Sequence, residues 1–227
     1  MKCIINVALG ERYLKEQEQL GISLKKHFDG DFLRWTEFPN DNYNKANPYN
    51  VKAAAFEEAI RMGYEQILWV DCPVVALNDV SPIFDTITAN GYLTMKNDAY
   101  RCDETCSDAS LAYFKFTRDQ AATFQEHGSG IIGVDMTDSE GKALIELFIK
   151  ACKEGACDGS RYHDGQSRDP RFKFHRQDQS VLSLSAHTLG LPYTMLWDDL
   201  ITLRPNKRTE RTILCWTHRS GVVLNLH

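Results

Sequence analysis

The sequence contains no run of about 20 consecutive apolar residues, which is the length that a membrane-spanning helix needs. It has no excess of positive charge either, because 26 Lys and Arg residues stand against 31 Asp and Glu and give a net charge of -5. Proteins that bind nucleic acids or membrane surfaces generally present a basic face to phosphates, so this charge favours neither class. No repeat or low-complexity linker divides the 227 residues. We therefore expect a single domain over residues 1–227.

The N-terminal segment lacks the long apolar core of a secretory signal peptide and is typical of a first β-strand. The seven cysteines are scattered and odd in number, so we expect reduced thiols and a cytoplasmic protein. The spacings of Cys102 with Cys106 and of Cys152 with Cys157 do not match a tight zinc knuckle, and no pair of histidines has a matching spacing. A structural zinc is therefore not expected.

Short apolar runs alternate with helical patterns along the chain. The predicted strands are residues 2–9, 32–38, 67–70, 92–95, 130–134, 212–216 and 222–226, and the predicted helices are residues 11–28, 50–62, 81–89, 117–124, 137–154 and 177–189. The continuous apolar run 67–70 is typical of a strand buried on both faces. The helix over 137–154 opens with a capping-box pattern, Thr137-x-x-Glu140. This alternation indicates an α/β domain with a mainly parallel sheet.

Asp71 directly follows the apolar run 67–70. Ligands of α/β sheets bind at the carboxyl ends of the strands, where a carboxylate can hold a divalent cation or a ribose hydroxyl. The alternative is a turn or cap residue, because Asp71-x-Pro73 is also good turn chemistry. Position alone does not separate the two interpretations.

Three further groups of residues have both a structural and a functional interpretation. Asp178 and Gln179 begin a predicted helix, where they either cap it or lie beside a polar ligand. The segment 128–133, Gly-Ser-Gly-Ile-Ile-Gly, enters a strand, so it is not a dinucleotide fingerprint; its glycines allow either close approach of a ligand or a tight turn. A lone histidine such as His218 is more often a surface or satisfied residue than a metal ligand.

Residues 156–176 show no apolar periodicity and are predicted to form a long loop, a kind of segment that is usually functional or mobile. Its basic residues are Arg161, Arg168, Arg171, Lys173 and Arg176. Guanidinium groups match phosphate oxygens, although a charged loop is commonly just solvated.

The order of these motifs resembles that of the small GT-A glycosyltransferases, including glycogenin-like, bacterial, phage and viral ones. In that family a Lys-bearing helix, here 48–52, precedes a strand that ends in Asp-x-Asp or a degenerate version, here 63–71. The segment 128–135 is similar to the family's small-Ser-Gly-hydrophobic strand, and 175–180 is similar to its Asp-Gln helix start. His218 is similar in place to a late metal-binding histidine. The resemblance implies a three-layer GT-A fold, with a mainly parallel sheet flanked by helices.

The resemblance also implies a donor and roles for site residues. The donor would be a nucleoside diphosphate sugar, most simply a UDP-sugar, and a hexose or a pentose would be transferred. The implied donor-binding residues are Lys52, Trp69, Asp71, Ser129 and Arg176. Asp178 and Gln179 would face the anomeric carbon, with Asp178 as general base in an inverting reaction, or with either residue stabilising the cationic sugar in a retaining one.

The sequence departs from the family pattern at Pro73, which replaces the second Asp of the motif and has no ligating side chain. A Mn²⁺ or Mg²⁺ ion would have to rely on Asp71, His218 and the donor's phosphates. Alternatively, transfer is metal-independent and the basic loop neutralises the diphosphate.

Two other functions stay open at this point. One is a non-catalytic nucleotide-sugar-binding or scaffold domain with a degenerate motif. The other is a nucleotidyltransferase, which ranks lower because the segment 9–12 offers only one glycine. The acceptor also stays open among a glycan, a lipid-linked sugar, a protein side chain and a modified base of phage DNA.

Overall fold

A computed structural model describes residues 1–159, 167–198 and 200–217. The strands are β1 (Lys2–Val7), β2 (Asp31–Trp35), β3 (Gln66–Val70), β4 (Val74–Ala76), β5 (Tyr92–Arg101), β6 (Gln125–Asp135), β7 (Ile201–Thr202) and β8 (Leu214–Trp216). The α-helices are α1 (Glu11–His27), α2 (Val51–Arg61), α3 (Ser81–Asn90), α4 (Cys102–Thr105), α5 (Asp108–Tyr113), α6 (Arg118–Ala121), α7 (Ser139–Lys153) and α8 (Asp178–Thr188). Short 3-10 helices lie at Pro48–Asn50 and Pro205–Lys207.

The central sheet has the strand order β2-β1-β3-β6-β5. β1 pairs in parallel with β2 and β3, whereas β6 runs antiparallel to both β3 and β5. Four of the five strands therefore run in the same direction, and the prediction of a mainly parallel α/β sheet is confirmed. A second, small sheet has the order β4-β8-β7.

Apolar side chains fill both faces of the central sheet, because alternate strand residues point to opposite sides. On β1 and β3, Ile5 and Trp69 pack into the core beneath α2, α7 and α8. Ile4 and Leu68 pack into the core beneath α1 and α3, which the small sheet completes. The continuous apolar run on β3 follows from this three-layer arrangement, as predicted.

The start of α7 differs from the prediction. The capping residue is Asp138, whose Oδ1 accepts from the backbone N–H groups of Glu140 (2.8 Å) and Gly141 (3.0 Å). Thr137 instead donates its hydroxyl to Asp135 Oδ1 at 2.6 Å, and the backbone N–H of Glu140 that the predicted capping box requires is bonded to Asp138. Thr137 and Asp138 are both residues that can cap a helix, and the bond of Thr137 to Asp135 at the end of β6 leaves the capping position to Asp138.

Several bounds also differ from the predictions. β5 and β6 are longer than predicted, because their pairing continues beyond the apolar residues, and the helix predicted over 117–124 is the single turn α6. The described parts of the loop 156–176, residues 156–159 and 167–176, contain no helix or strand. The predicted strand 222–226 lies outside the described residues.

All seven cysteines are buried and unbridged. Among the helices in the described part of the chain, none is long and apolar enough to span a membrane.

Candidate functional site

Asp71 lies at the carboxyl end of β3, beside the middle of β6. Its backbone N–H donates to the carbonyl oxygen of Gly130 at 2.9 Å, which extends the β3–β6 pairing by one residue. Oδ1 of Asp71 accepts from the indole Nε1–H of Trp69 at 2.8 Å. The Asp71 side chain is 31% exposed, so one edge of the carboxylate is open at the end of the strand.

Lys52 joins the separate motifs into one cluster. Its ammonium nitrogen lies 3.1 Å from Asp71 Oδ1 and 2.7 Å from Asp178 Oδ2. It also donates to the carbonyl oxygen of Ser129 (2.7 Å) and lies 3.2 Å from the hydroxyl oxygen of the same residue. The Trp69 ring centroid is 5.3 Å away. Lys52 thus brings four other residues predicted for the site into one contact group.

The position of Lys52 follows from how α2 begins. Asn47 caps the preceding 3-10 turn by accepting from the backbone N–H of Tyr49, and Pro48 starts that turn. The first six residues of α2 are then all buried, so the helix lies flat on the sheet and its second residue reaches the end of β3. Burial opposes the charge of Lys52, but Asp178 and Asp71 outweigh it and raise its pKa.

Asp178 is the first residue of α8 and does not act as its cap. The capping position belongs to Gln177, which makes no capping bond with its side chain and has φ 44° and ψ -111°. Positive φ is uncommon for a residue with a side chain and stores strain when the surroundings impose it. The Asp178 side chain is 6% exposed and pairs with Lys52, so this residue lies in the first turn of α8 without capping it.

Glu126, on β6, organises the other two predicted residues and has no exposed surface. Its Oε2 accepts from Gln179 Nε2 at 3.0 Å and from Arg176 Nη1 at 3.1 Å. Asn97 Nδ2 donates to the same oxygen at 2.9 Å, and the Thr105 hydroxyl donates to Oε1 at 2.5 Å. Nothing in the sequence around Glu126 marks it as a site residue, because its partners come from distant parts of the chain.

Burial is the largest influence on the pKa values of two carboxyl groups near the site, those of Asp71 and Glu126. It raises the pKa of Asp71, against the opposing effects of Lys52 and the Trp69 indole. It likewise raises the pKa of Glu126, against Arg176 and the hydrogen-bond donors around it. Such perturbed carboxylates cluster at functional sites, although buried structural networks produce them as well.

Gly128 and Gly130 make room for two indole rings rather than forming a turn. A Cβ atom at position 130 would lie 2.6 Å from Trp216 Cζ2 and 3.0 Å from Asp71 Oδ2. At position 128 it would lie 3.3 Å from Trp197 Cζ2. The two tryptophan rings meet edge to face, with centroids 5.6 Å apart. They form an aromatic wall beside Asp71 that the sequence did not reveal.

Two further basic residues of the loop 156–176, Arg171 and Lys173, pair with acids. Arg171 pairs with Asp119 (2.8 Å) and Asp169 (2.9 Å), and Lys173 pairs with Glu104. Arg161 lies outside the described residues. The ion pairs of Arg171 and Lys173 offset the charge that these two residues could offer to a diphosphate.

His218 lies outside the described residues, and its immediate predecessor is held near Asp71. The backbone N–H of Thr217 donates to the carbonyl oxygen of Pro73 at 2.8 Å. Over the described ranges, no group of three or more His, Cys, Asp or Glu side chains is placed to hold a metal ion. Oδ2 of Asp71 accepts no hydrogen bond from a described residue. This oxygen can therefore serve as one ligand of a hard cation whose other ligands come from elsewhere.

The chain matches no protein-family model and no curated protein sequence. Its structure is similar to that of a glycosyltransferase involved in the glycosylation of the major capsid of PBCV-1, with a TM-score of 0.55 and 10% identity over 96% of this chain and 94% of that one. It is also similar to mouse xyloside xylosyltransferase 1 in its apo form, with a TM-score of 0.54 and 8% identity over 98% and 100% of the two chains. The chain thus has the GT-A-like fold of glycosyltransferases over nearly its whole length.

Proposed function

We propose that this protein transfers a sugar from a nucleoside diphosphate sugar, most simply a UDP-sugar, to a hydroxyl group of an acceptor. The observation that carries the proposal is the cluster around Lys52, which brings Asp71 and Asp178 together at the carboxyl end of β3. One structural neighbour is by its name a xylosyltransferase, so the class of pentosyltransferases stands beside that of hexosyltransferases.

The chemistry of transfer accounts for the two ends of the site. The bond between the anomeric carbon and the phosphate oxygen breaks, so positive charge develops on the sugar and negative charge on the leaving diphosphate. Asp71 lies where the diphosphate and ribose are expected, at the end of a strand. Asp178 and Gln179 would face the sugar, where Asp178 acts as general base in an inverting reaction, or either side chain stabilises the cation in a retaining one.

Charge balance favours a divalent cation at the diphosphate. Asp71, Asp178 and Lys52 together carry one net negative charge, and a diphosphate adds more. A Mn²⁺ or Mg²⁺ ion would be held by Oδ2 of Asp71, by His218 and by the phosphate oxygens, and it would stabilise the leaving group as a Lewis acid. Lys52 and the Trp69 indole bind Oδ1, so Oδ2 is the oxygen that would bind the ion. Arg176 contributes less charge than a free arginine would, because Glu126 offsets it.

The proposal is tested by thermal shift and transfer assays with UDP-, GDP- and TDP-sugars, with and without Mn²⁺. A ligand at 100 times its dissociation constant stabilises a protein by about 2.7 kcal/mol, which such an assay resolves. Asp71→Ala should abolish the Mn²⁺-dependent part of donor binding, and Asp178→Asn should lower donor hydrolysis and transfer. Glu58→Gln, which changes only an ion pair with the exposed Arg61, is the matched control. Wild-type rates in both site variants would refute the assignment.

The degenerate motif at Pro73 supports one alternative, a nucleotide-sugar-binding or scaffold domain without catalysis. The same assays separate the two functions. Binding of a donor without hydrolysis or transfer to any offered glycan, lipid-linked sugar, protein or modified base would favour the binding domain. The absence of a thermal shift with every donor would favour a scaffold.

A further inference from the structure

We propose that Glu126 is a positioning residue that sets the polarity of the Gln179 carboxamide, so that this side chain presents its oxygen and not its N–H groups to the reacting sugar. The inference rests on the proposed function for the role of the sugar, but its geometric part does not. No sequence motif includes Glu126, and it touches neither Asp71 nor Lys52 in any described contact.

The four partners of Glu126 are all donors to it. Thr105 donates to Oε1, and Asn97, Gln179 and Arg176 donate to Oε2, at 2.5 to 3.1 Å. A carboxylate accepts only, so its ionised form satisfies every one of these bonds, and Arg176 supplies the compensating charge. A buried carboxylate without such partners would be strongly unfavourable. The cluster is thus a set of four donors around one anionic acceptor.

The anion decides which way the Gln179 amide faces. A glutamine side chain can rotate by half a turn at little steric cost, which exchanges its carbonyl oxygen with its NH₂ group. Next to a carboxylate, only the NH₂ group is attracted, and the oxygen is repelled. Gln179 Nε2 is accordingly held on Glu126, while its Oε1 accepts no hydrogen bond from a described residue. That oxygen is therefore available to a ligand.

The direction of the amide determines the sign of the field at the sugar. Gln179 directly follows Asp178 at the start of α8. In the proposed function this side chain faces the cationic sugar, where its oxygen would add partial negative charge. A rotated amide would place N–H groups there and oppose the developing charge. Glu126 also binds Arg176, and loss of its charge would leave that guanidinium, whose side chain is 24% exposed, freer to attract the diphosphate.

The test is Glu126→Gln, which keeps shape but removes the charge that orders the amide. We expect kcat to fall about 10- to 100-fold while KM for the donor stays constant or falls, because Arg176 is released. A merely structural defect would raise KM as well. In Glu126→Gln combined with Gln179→Glu, the amide introduced at position 126 donates to the carboxylate introduced at position 179, whose other oxygen faces the sugar. This double variant should recover part of the lost kcat.

Asp135→Asn is the matched control, since Asp135 is a buried carboxylate on the same strand that also accepts from a glutamine amide, Gln66 Nε2 at 3.1 Å. It should lower Tm without the selective loss of kcat. A second readout needs no turnover: the side-chain NH₂ resonances of Gln179 in NMR spectra, assigned by their absence in Gln179→Glu, should move in Glu126→Gln and not in Asp135→Asn.

The outcomes distinguish this inference from the proposed function. Unchanged Gln179 resonances in Glu126→Gln, or wild-type kcat in that variant, would overturn the positioning role while leaving transfer intact. A wild-type protein that binds no donor and transfers no sugar would overturn the proposed function, and with it the catalytic meaning of the anchored amide, whatever the NMR spectra show.

Discussion

The ammonium group of Lys52 lies 2.7 Å from Oδ2 of Asp178, and both side chains are almost completely buried. Oδ2 accepts no hydrogen bond from any other described residue, so the ion pair is its principal compensation. Removing one partner of a buried pair leaves an unpaired charge, which is costlier than the pair itself. Lys52 therefore has a structural role that is separable from any catalytic one.

Lys52→Met should lower the free energy of unfolding by about 3 kcal/mol at pH 7, measured by urea denaturation. The loss should shrink as the pH falls, because burial raises the pKa of Asp71 and, without Lys52, this carboxyl takes up a proton more readily in the folded state than in the unfolded one. Lys45→Met is the control: Lys45 pairs with Asp41 at an exposed site, and such pairs contribute about 1 kcal/mol or less. Equal losses in the two variants would show that the buried cluster is not ionised as described.

The close packing of Trp216 on Gly130 yields a second prediction. Gly130→Ala would place a methyl group 2.6 Å from the indole ring, so the ring or the strand has to move. We expect a loss of about 1–3 kcal/mol of stability and weaker donor binding, because Asp71 is displaced along with Trp216.

The double variant Gly130→Ala with Trp216→Leu isolates the clash. Leucine is smaller than the indole and leaves room for the new methyl group. The combined loss measured by urea denaturation should therefore be smaller than the sum of the single losses, with a coupling energy of about 1 kcal/mol. Additive losses would contradict the close contact.

Local sequence patterns predicted the strands and helices of the fold, because apolar runs and helical spacing are visible in short segments of the sequence. The apolar run on β3 and the helical pattern of α2 identified Asp71 and Lys52 without any knowledge of their contact. Glu126 could not be predicted, because its role depends on partners brought together only by tertiary packing. The prediction that Thr137 caps α7 was wrong for a local reason. Thr137 and the adjacent Asp138 can both cap a helix, but Thr137 is bonded to Asp135 and Asp138 caps α7.

His127, the residue after Glu126, predicts a pH dependence of stability. Burial and the neighbouring His187 lower the pKa of His127 from 6.5 to about 3. As the pH falls from 6.5 towards 3, the unfolded chain binds a proton at this residue that the folded chain does not, so the folded state loses stability. The loss approaches about 1.4 kcal/mol per pH unit at most.

His127→Asn removes this titration and isolates its contribution. The difference in unfolding free energy between wild type and variant should be largest above pH 7 and should shrink steadily as the pH is lowered to about 4.5, between the two pKa values. Urea denaturation at several pH values measures it, and the contributions of other groups, including the raised pKa of Glu126, largely cancel in the difference. A difference independent of pH would mean that folding does not lower the pKa of His127.

Gln177 links backbone strain to the direction of Asp178. Its φ of 44° suits glycine better than glutamine, and a strained residue of this kind costs about 1–3 kcal/mol. Gln177→Gly should therefore be more stable than Gln177→Ala by about 1 kcal/mol or more in urea denaturation, because both lose the bond from Nε2 to the Gly159 carbonyl but only glycine relieves the strain. Relief also loosens the start of α8, so the glycine variant should have the lower kcat of the two despite its greater stability. If the glycine variant were both more stable and more active than the alanine variant, the strain would have no part in directing Asp178.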